Sequence, residues 1–391
     1  VIGCGQRLRT ICGHLFGYGS VYPAALYDPE RSQAERFLAE ACPGGAAETK
    51  APGETEESAQ NLSQASRTLI SPDIPALLEM PEVQWVFIGS PNRFHYRQTE
   101  AAVRKGKHVF LEKPLAVSTE ECLALARLHR ESQGRIVTGF VLRYSPLYRA
   151  MREVLQTENI GPVLTIQANE NISYQHAAYI SRGWRRRLDI AGPHILEKCV
   201  HDIDIIQWMA GSRFARIAAA GDRTIFGPQH AGLYSKEILE DWQWKGNLDN
   251  ADPFAEGEVS IEDRVQLQGE LENGVTAQFS AVLGTAIPER RIAIHCLRGS
   301  VIGELYSETL RYRTMDMPEE GLRTWSGGGL HGGGDEVLAA QLQATITEGA
   351  DPPVDLQEGI WANIAALAAE EARTAGRWID LRPYWRELDG G

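Results

Sequence analysis

The chain has 391 residues, enough for two domains of roughly 100 to 200 residues with a core in each. Apolar residues make up 43% and charged residues 23%, a globular balance that excludes a collagen-like, low-complexity or wholly disordered chain. With 39 basic against 52 acidic side chains the formal charge is -13, which argues against nucleic acid or an anionic membrane as a general partner.

In chain order, a short strand ends at Gly3 and a second apolar segment, 24–27, stops at Asp28. Residues 85–88 lead into Gly89-Ser90-Pro91-Asn92, residues 108–111 into Glu112-Lys113-Pro114, and residues 136–140 close the series. Mixed-charge helical patterns, such as 94–104 and 119–130, separate them. Continuous apolar strands joined by helices predict a parallel sheet covered on both faces. From about residue 160 the period changes, and residues 163–168, 265–271 and 275–279 alternate apolar with polar around an Asn273-Gly274 hairpin signal. That pattern predicts an antiparallel sheet with one half-buried face, so we expect an α/β chain with a Rossmann domain at 1–143 and an α+β domain at 144–391. Residues 48–64 read as a solvated loop. The irregular segment 226–262 carries Trp242, Trp244 and Phe254, a length usual for a functional loop or an oligomer arm. The tail 335–377 is Ala/Leu/Glu-rich and reads as helix.

Six cysteines lie scattered, without a Cys-x-x-Cys pair or zinc spacing, which predicts reduced thiols in a cytoplasm and no structural metal. No run approaches the ~18 apolar residues of a membrane helix, so no membrane partner is expected. The chain opens inside a first strand without an initiator Met, and a few native residues or a processed leader are expected ahead of it.

Gly3-Cys4-Gly5-Gln6-Arg7 follows a strand and opens a helix, the setting in which glycines let the backbone approach a pyrophosphate at a helix N-terminus. Asp28 ends the next strand, where a carboxylate accepts hydrogen bonds from ribose hydroxyls, and this favours NAD over NADP. Leu8 stands where the fingerprint has a third small residue, so a plain glycine turn competes as a reading of this motif alone. Arg7 and Arg31 keep NADP open, because an arginine beside the ribose can hold a 2'-phosphate.

Lys113 lies just past a predicted parallel strand, at the edge where open α/β sheets bind ligands. It could polarise a reacting hydroxyl or carbonyl; alone it better suits an exposed lysine before a turn proline. Along a helix through Gly192 to Asp204, Glu197, His201 and Asp204 fall within an arc of about 60°. The rest of that helix is apolar on three sides, so its polar stripe should face a cavity or another polar group.

Together these motifs resemble the Gfo/Idh/MocA family. The resemblance rests on Gly3-Cys4-Gly5-Gln6-Arg7, Ser90-Pro91-Asn92 with His95, Glu112-Lys113-Pro114-Leu115, Arg143-Tyr144, the Gly192 to Asp204 block, and His331-Gly332-Gly333-Gly334-Asp335, in that order. It implies a Rossmann domain followed by a domain with an open, mainly antiparallel sheet that supports a homodimer or homotetramer. It also implies hydride transfer between NAD(P) and a hydroxyl-bearing carbon of a sugar, cyclitol or related polyol. Gly3, Gly5, Gln6, Arg7, Asp28, Ser90, Pro91, Asn92, His95, Glu112 and Lys113 are then the expected coenzyme residues. By position, Lys113 resembles the lysine that contacts the reacting oxygen and His201 the acid/base. Glu197, where many members have Asp, would orient the imidazole or bind a neighbouring hydroxyl.

Arg143, Tyr144, Trp184, Lys198 and His331 join Lys113, Glu197 and His201 as expected substrate contacts. Lys198 would meet substrate only if the helix begins late. Arg182 to Arg187 form a basic island around Trp184 that could recognise a carboxylate or phosphate, stack on a sugar, or serve as a solvated loop or subunit contact. Asp335 is expected to cap the helix that follows it. Two other functions fit the same motifs: an enzyme that holds NAD and cleaves or epimerises a sugar derivative by transient oxidation, and a non-catalytic NAD-binding regulator.

Overall fold

The computed structural model describes residues 1–42, 68–157, 159–243, 249, 251–326, 331–352 and 354–390. The expected loop at 48–64 and Trp244 lie outside the described residues.

In the first lobe β1 (Ala25–Leu26) pairs in parallel with β2 (Leu69–Ile70). A second parallel group runs β3 (Trp85–Ile88), β4 (His108–Leu111) and β5 (Ile136–Thr138). Ile2 bridges Tyr27 on one side and Ile88 on the other, so the first strand lies between the two groups. The resulting order, β2-β1-Ile2-β3-β4-β5, reverses direction at the first strand, which is where doubly wound sheets bind ligands. Helices Gln6–Gly17, His95–Arg104 and Thr119–Glu131 follow strands of this sheet. The last starts where the sequence supplies a cap, the Ser118 hydroxyl accepting the Glu121 N–H.

The second lobe is a nine-stranded sheet. Its strands are β6 (Val163–Ser173), β7 (Phe214–Asp222), β8 (Arg264–Leu271), β9 (Thr276–Thr285), β10 (Arg291–Cys296), β11 (Gly299–Glu304), β12 (Thr309–Thr314), β13 (Gly321–Thr324) and β14 (Ile379–Asp380). They lie in the order β13-β12-β11-β10-β6-β9-β8-β7-β14. All neighbours are antiparallel except β6 and β9. In β8, Val265, Leu267, Gly269 and Leu271 turn inward while the residues alternating with them face outward, as the alternation requires. Gly274, at φ +86°, makes the tight turn into β9.

Segment 226–262, expected as a functional loop or an oligomer arm, is described in part. Its described part contains the helix Lys236–Asp241, and Phe226, Trp242 and Phe254 are buried in a second apolar cluster with Ile172 and Leu283. The expected helical tail is two helices, Gly334–Thr347 and Leu356–Ala375. The first packs on Gln6–Gly17 and the second on Thr119–Glu131 and β7, which brings both lobes together. Within the second, Asn363 accepts the Leu115 N–H at 3.0 Å and donates to the Ala116 carbonyl at 2.8 Å, fixing the loop that carries Lys113. Among the described residues no helix is long and apolar enough to cross a membrane.

Candidate active site

A cleft of about 290 Å³ lies between the lobes, at the carboxyl ends of the parallel strands. Gln6, Arg7, Ser90, Asn92, His95, Glu112 and Lys113 line it from the first lobe. Lys198, His201 and His331 line it from the second, together with His176, Tyr179, Arg185 and Asp335.

The first-lobe wall begins at the glycine turn. Gly3 sits at φ +83°, and a Cβ there would stand 2.5 Å from the Ser90 backbone nitrogen, so only glycine lets the two loops cross. A Cβ on Gly5 would meet nothing within 4 Å, which leaves open space in front of the helix that starts at Gln6. No side chain caps that helix, and its first-turn N–H groups stay available to an anion. The missing third glycine has a local explanation: Leu8 fills the space above Gly89, where a Cβ would come within 2.6 Å of the Leu8 Cγ. Asp28 stands at the end of β1, its two oxygens accepting the Cys4 and Glu30 N–H groups at 2.8 and 2.9 Å. Each oxygen keeps a second lone pair for a ribose hydroxyl. This set of groups fits a dinucleotide.

Two supports hold the neighbouring loops. The His95 ring lies 2.7 Å from the Pro114 carbonyl and 2.8 Å from that of Ser90, bracing one loop against the other. Asn92 donates to the Ala191 carbonyl and to Glu197, both at 2.7 Å. Arg7 turns away from Asp28 into the cleft, where it donates to Glu112 at 3.0 Å and pairs with Asp335, and its Nη2 is buried without a partner.

On the second-lobe side the expected single helix is broken. It runs His194–Glu197, turns at Lys198 and Cys199, and resumes as Val200–Ala210. At this turn Lys198 forms an ion pair at 3.0 Å with Glu170 of β6. The break removes the shared polar face. Glu197 is held by Asn92 and by the Arg185 Nε at 2.6 Å, with Lys113 Nζ 4.0 Å away, and it has no hydrogen bond to His201. Its expected part in orienting the imidazole is therefore corrected. Asp204 leaves the cleft altogether, accepting both Arg143 Nε and Nη2 at 2.8 and 2.7 Å. Arg143 also reaches Glu358, so it and the buried Tyr144 stand outside the cleft lining. Trp184 stacks on Arg185 instead of lining the cleft, and Asp335, expected as a cap, lies inside its helix and bonds His331 at 3.0 Å.

Lys113 donates to the Glu197 carbonyl at 2.5 Å, so the loop after β4 and the helix break meet at one point. Burial lowers the Lys113 pKa, the nearby Glu197 charge opposing it. Burial and then the Lys113 charge push the His201 imidazole well below its usual value, keeping it neutral near pH 7. Its Nδ1 is buried without a partner. Burial would raise the Glu197 carboxyl, but Lys113, Arg185 and the Asn92 bond hold it below the ordinary carboxylate range. Burial lowers His176 to about 3 and His331 to about 4. Sequence reasoning missed His176 and Tyr179, and it noted Arg185 only as one member of the 182–187 basic island. His176 and Tyr179 belong to a short helix, Tyr174–Ser181, whose one signal is the capping Ser173 and a three-residue spacing that puts both on one side.

Residues 1–140 match the model of the oxidoreductase family with an NAD-binding Rossmann fold, and residues 148–302 match the GFO/IDH/MocA C-terminal domain. The chain belongs to the Gfo/Idh/MocA family. Among its relatives is a 1,5-anhydro-D-fructose reductase of Ensifer adhaerens, 25% identical over 79% of this chain and 83% of that protein. An inositol 2-dehydrogenase of Ralstonia nicotianae is 31% identical over 35% of this chain and 38% of that one. In fold, the chain is similar to an oxidoreductase domain protein from Kribbella flavida (TM-score 0.73, 21% identity, 97% of each chain). It is equally similar to levoglucosan dehydrogenase in complex with NADH and levoglucosan (TM-score 0.73, 18% identity, 97% of each chain). As a Gfo/Idh/MocA protein, the chain is an NAD(P)-dependent dehydrogenase acting on CH–OH groups.

Proposed function

We propose that the chain uses NAD to oxidise, or NADH to restore, a hydroxyl-bearing carbon of a sugar, cyclitol or related polyol. The observation that carries this is that Lys113 from one lobe and His201 from the other line the same cleft, bordered by the glycine turn. In this reading residues 1–143 hold the coenzyme, and residues 144–391 hold substrate and a subunit interface.

A bound nicotinamide supplies the hydride chemistry. Lys113 donates a hydrogen bond to the reacting oxygen and stabilises the negative charge that develops there. Neutral His201 accepts the hydroxyl proton in oxidation and returns it in reduction. Glu197 acts through Lys113 and Arg185, holding both cations at fixed positions. Asp28 supports NAD over NADP, because a carboxylate repels a 2'-phosphate, and because Arg7 faces the cleft and Arg31 is paired with Glu35 on the surface. The outward face of the nine-stranded sheet carries Gln167, Gln266, Gln268 and Gln278 side by side, which supports a homodimer or homotetramer. Six buried thiols without a disulfide agree with a reducing cytoplasm.

The test is a screen of polyols, sugars and their acids with NAD and NADP, followed by Lys113→Ala and His201→Ala. Each substitution is expected to lower kcat by about 100-fold or more while NADH affinity stays within about threefold. Full turnover in either variant would defeat the reading. Turnover without net NADH in the wild type would replace it with transient oxidation.

A further inference from the structure

Of the basic island at 182–187, Arg185 alone lines the cleft. Arg182 donates to the Ala251 carbonyl, Arg186 pairs with Asp249 and Glu258, and Arg187 pairs with Asp189. The Arg185 guanidinium is 3.8 Å from the Tyr179 ring centroid and 4.1 Å from that of Trp184. Its Nε donates to Glu197, and its two terminal nitrogens have no hydrogen-bond partner among the described residues.

Charge is divided unevenly across the cleft. One cation of the first lobe, Arg7, serves two carboxylates, Glu112 of the same lobe and Asp335 of the second. Elsewhere in the cleft two cations, Lys113 of the first lobe and Arg185 of the second, share the single carboxylate of Glu197, while Lys198 pairs with Glu170. The Lys113 and Arg185 side chains are only 11% and 17% exposed, so water screens the surplus positive charge poorly. Glu197 stands behind the two cations and outside the lining, so an incoming molecule meets N–H donors.

Resting on the dehydrogenase reading above, we infer that the substrate carries a carboxylate and that Arg185 receives it. The two terminal N–H groups of a guanidinium match a carboxylate in a bidentate, planar contact. Stacking between Tyr179 and the Trp184 ring fixes the plane beforehand, which lowers the ordering cost of that contact. A carboxylate there replaces the missing countercharge of Arg185 and leaves Lys113 free for the reacting oxygen. Arg185 is thus a specificity-determining residue, and the class of substrate is a sugar acid or cyclitol carboxylate.

The experiment measures binding by calorimetry to the NADH-loaded protein. Hexuronates, aldonates and cyclitol carboxylates are each compared with their neutral parents and with the corresponding phosphates. At least one acid is expected to bind about tenfold or more tighter than its parent. Arg185→Gln, which keeps a donor for Glu197 but removes the charge, is expected to abolish that preference, and Arg185→Lys to restore part of it. A cooperative thermal melt of each variant shows that it is folded. Failure of every acid to outbind its parent, tighter binding of the phosphates, or a preference that survives Arg185→Gln overturns the inference. Tight acid binding without hydride transfer in the presence of NAD would leave it standing and overturn the dehydrogenase reading instead.

Discussion

The coenzyme wall of the cleft presents backbone: Gly3 and Gly89, lacking a Cβ, admit the Ser90 backbone and Leu8, Gly5 leaves open space, and an uncapped helix offers its N–H groups. The opposite wall presents charged side chains, each held by a partner from elsewhere in the chain, as Arg185 is by Glu197 and Lys198 by Glu170. The first arrangement is set by what a short stretch of chain leaves out. The second depends on ion pairs that exist only after the sheet lobe has folded. Added bulk should therefore damage the first wall, and lost charge the second.

The largest effect is expected where charge is removed beneath the second wall. Arg143→Leu leaves the buried Asp204 carboxylate without its two hydrogen bonds and frees Glu358. Breaking such a pair costs about 3–5 kcal/mol, read as a shift of the urea midpoint. A loss near zero would mean that the support beneath this wall is packing and not charge. The next effect tests bulk on the first wall. Gly89→Ala drives a methyl group into Leu8 and is expected to cost about 1–3 kcal/mol and to weaken NADH binding. Adding Leu8→Ala should recover most of that loss, because the two side chains compete for one space, and a double-mutant cycle gives the coupling directly. Additive losses would show that they do not.

This contrast explains what was legible in the sequence. Asp28, Ser90, Glu112 and Lys113 all follow strands, and the apolar runs ahead of them mark those strand ends, so each could be placed before any coordinates. The alternation in β8 and β9 and the turn at Gly274 were legible for the same reason, since period and turn chemistry are local. Arg185 could be noticed as part of a basic cluster but not separated from Arg182, Arg186 and Arg187, because their partners lie as far as 72 residues along the chain. Nor could the wheel through Glu197, His201 and Asp204 anticipate the break at Lys198, where the side chain pairs with Glu170 on a distant strand. Leu8 departs from the dinucleotide motif, and only the fold, which sets it against Gly89, accounts for the larger side chain.

The smallest expected effect is an absence of pH dependence, and it sharpens the contrast because the proton acceptor sits on the charged wall. His201 works in oxidation as the neutral imidazole. Burial, and after it the charge on Lys113, depress its pKa well below 6.5, so almost all of it is already neutral at that pH. Between pH 6.5 and 8, kcat/KM for oxidation should therefore stay within about twofold, with the acid limb at lower pH. On the alkaline side Lys113, lowered by burial from its usual 10.5, loses its proton earlier than a solvated lysine and takes the rate down with it. Lys113→Met removes the second depressing charge, so the residual activity of that variant should show the acid limb moved upward. An acid limb centred at or above 6.5 in the wild type would mean that His201 is not shielded by that wall, and that another group accepts the proton.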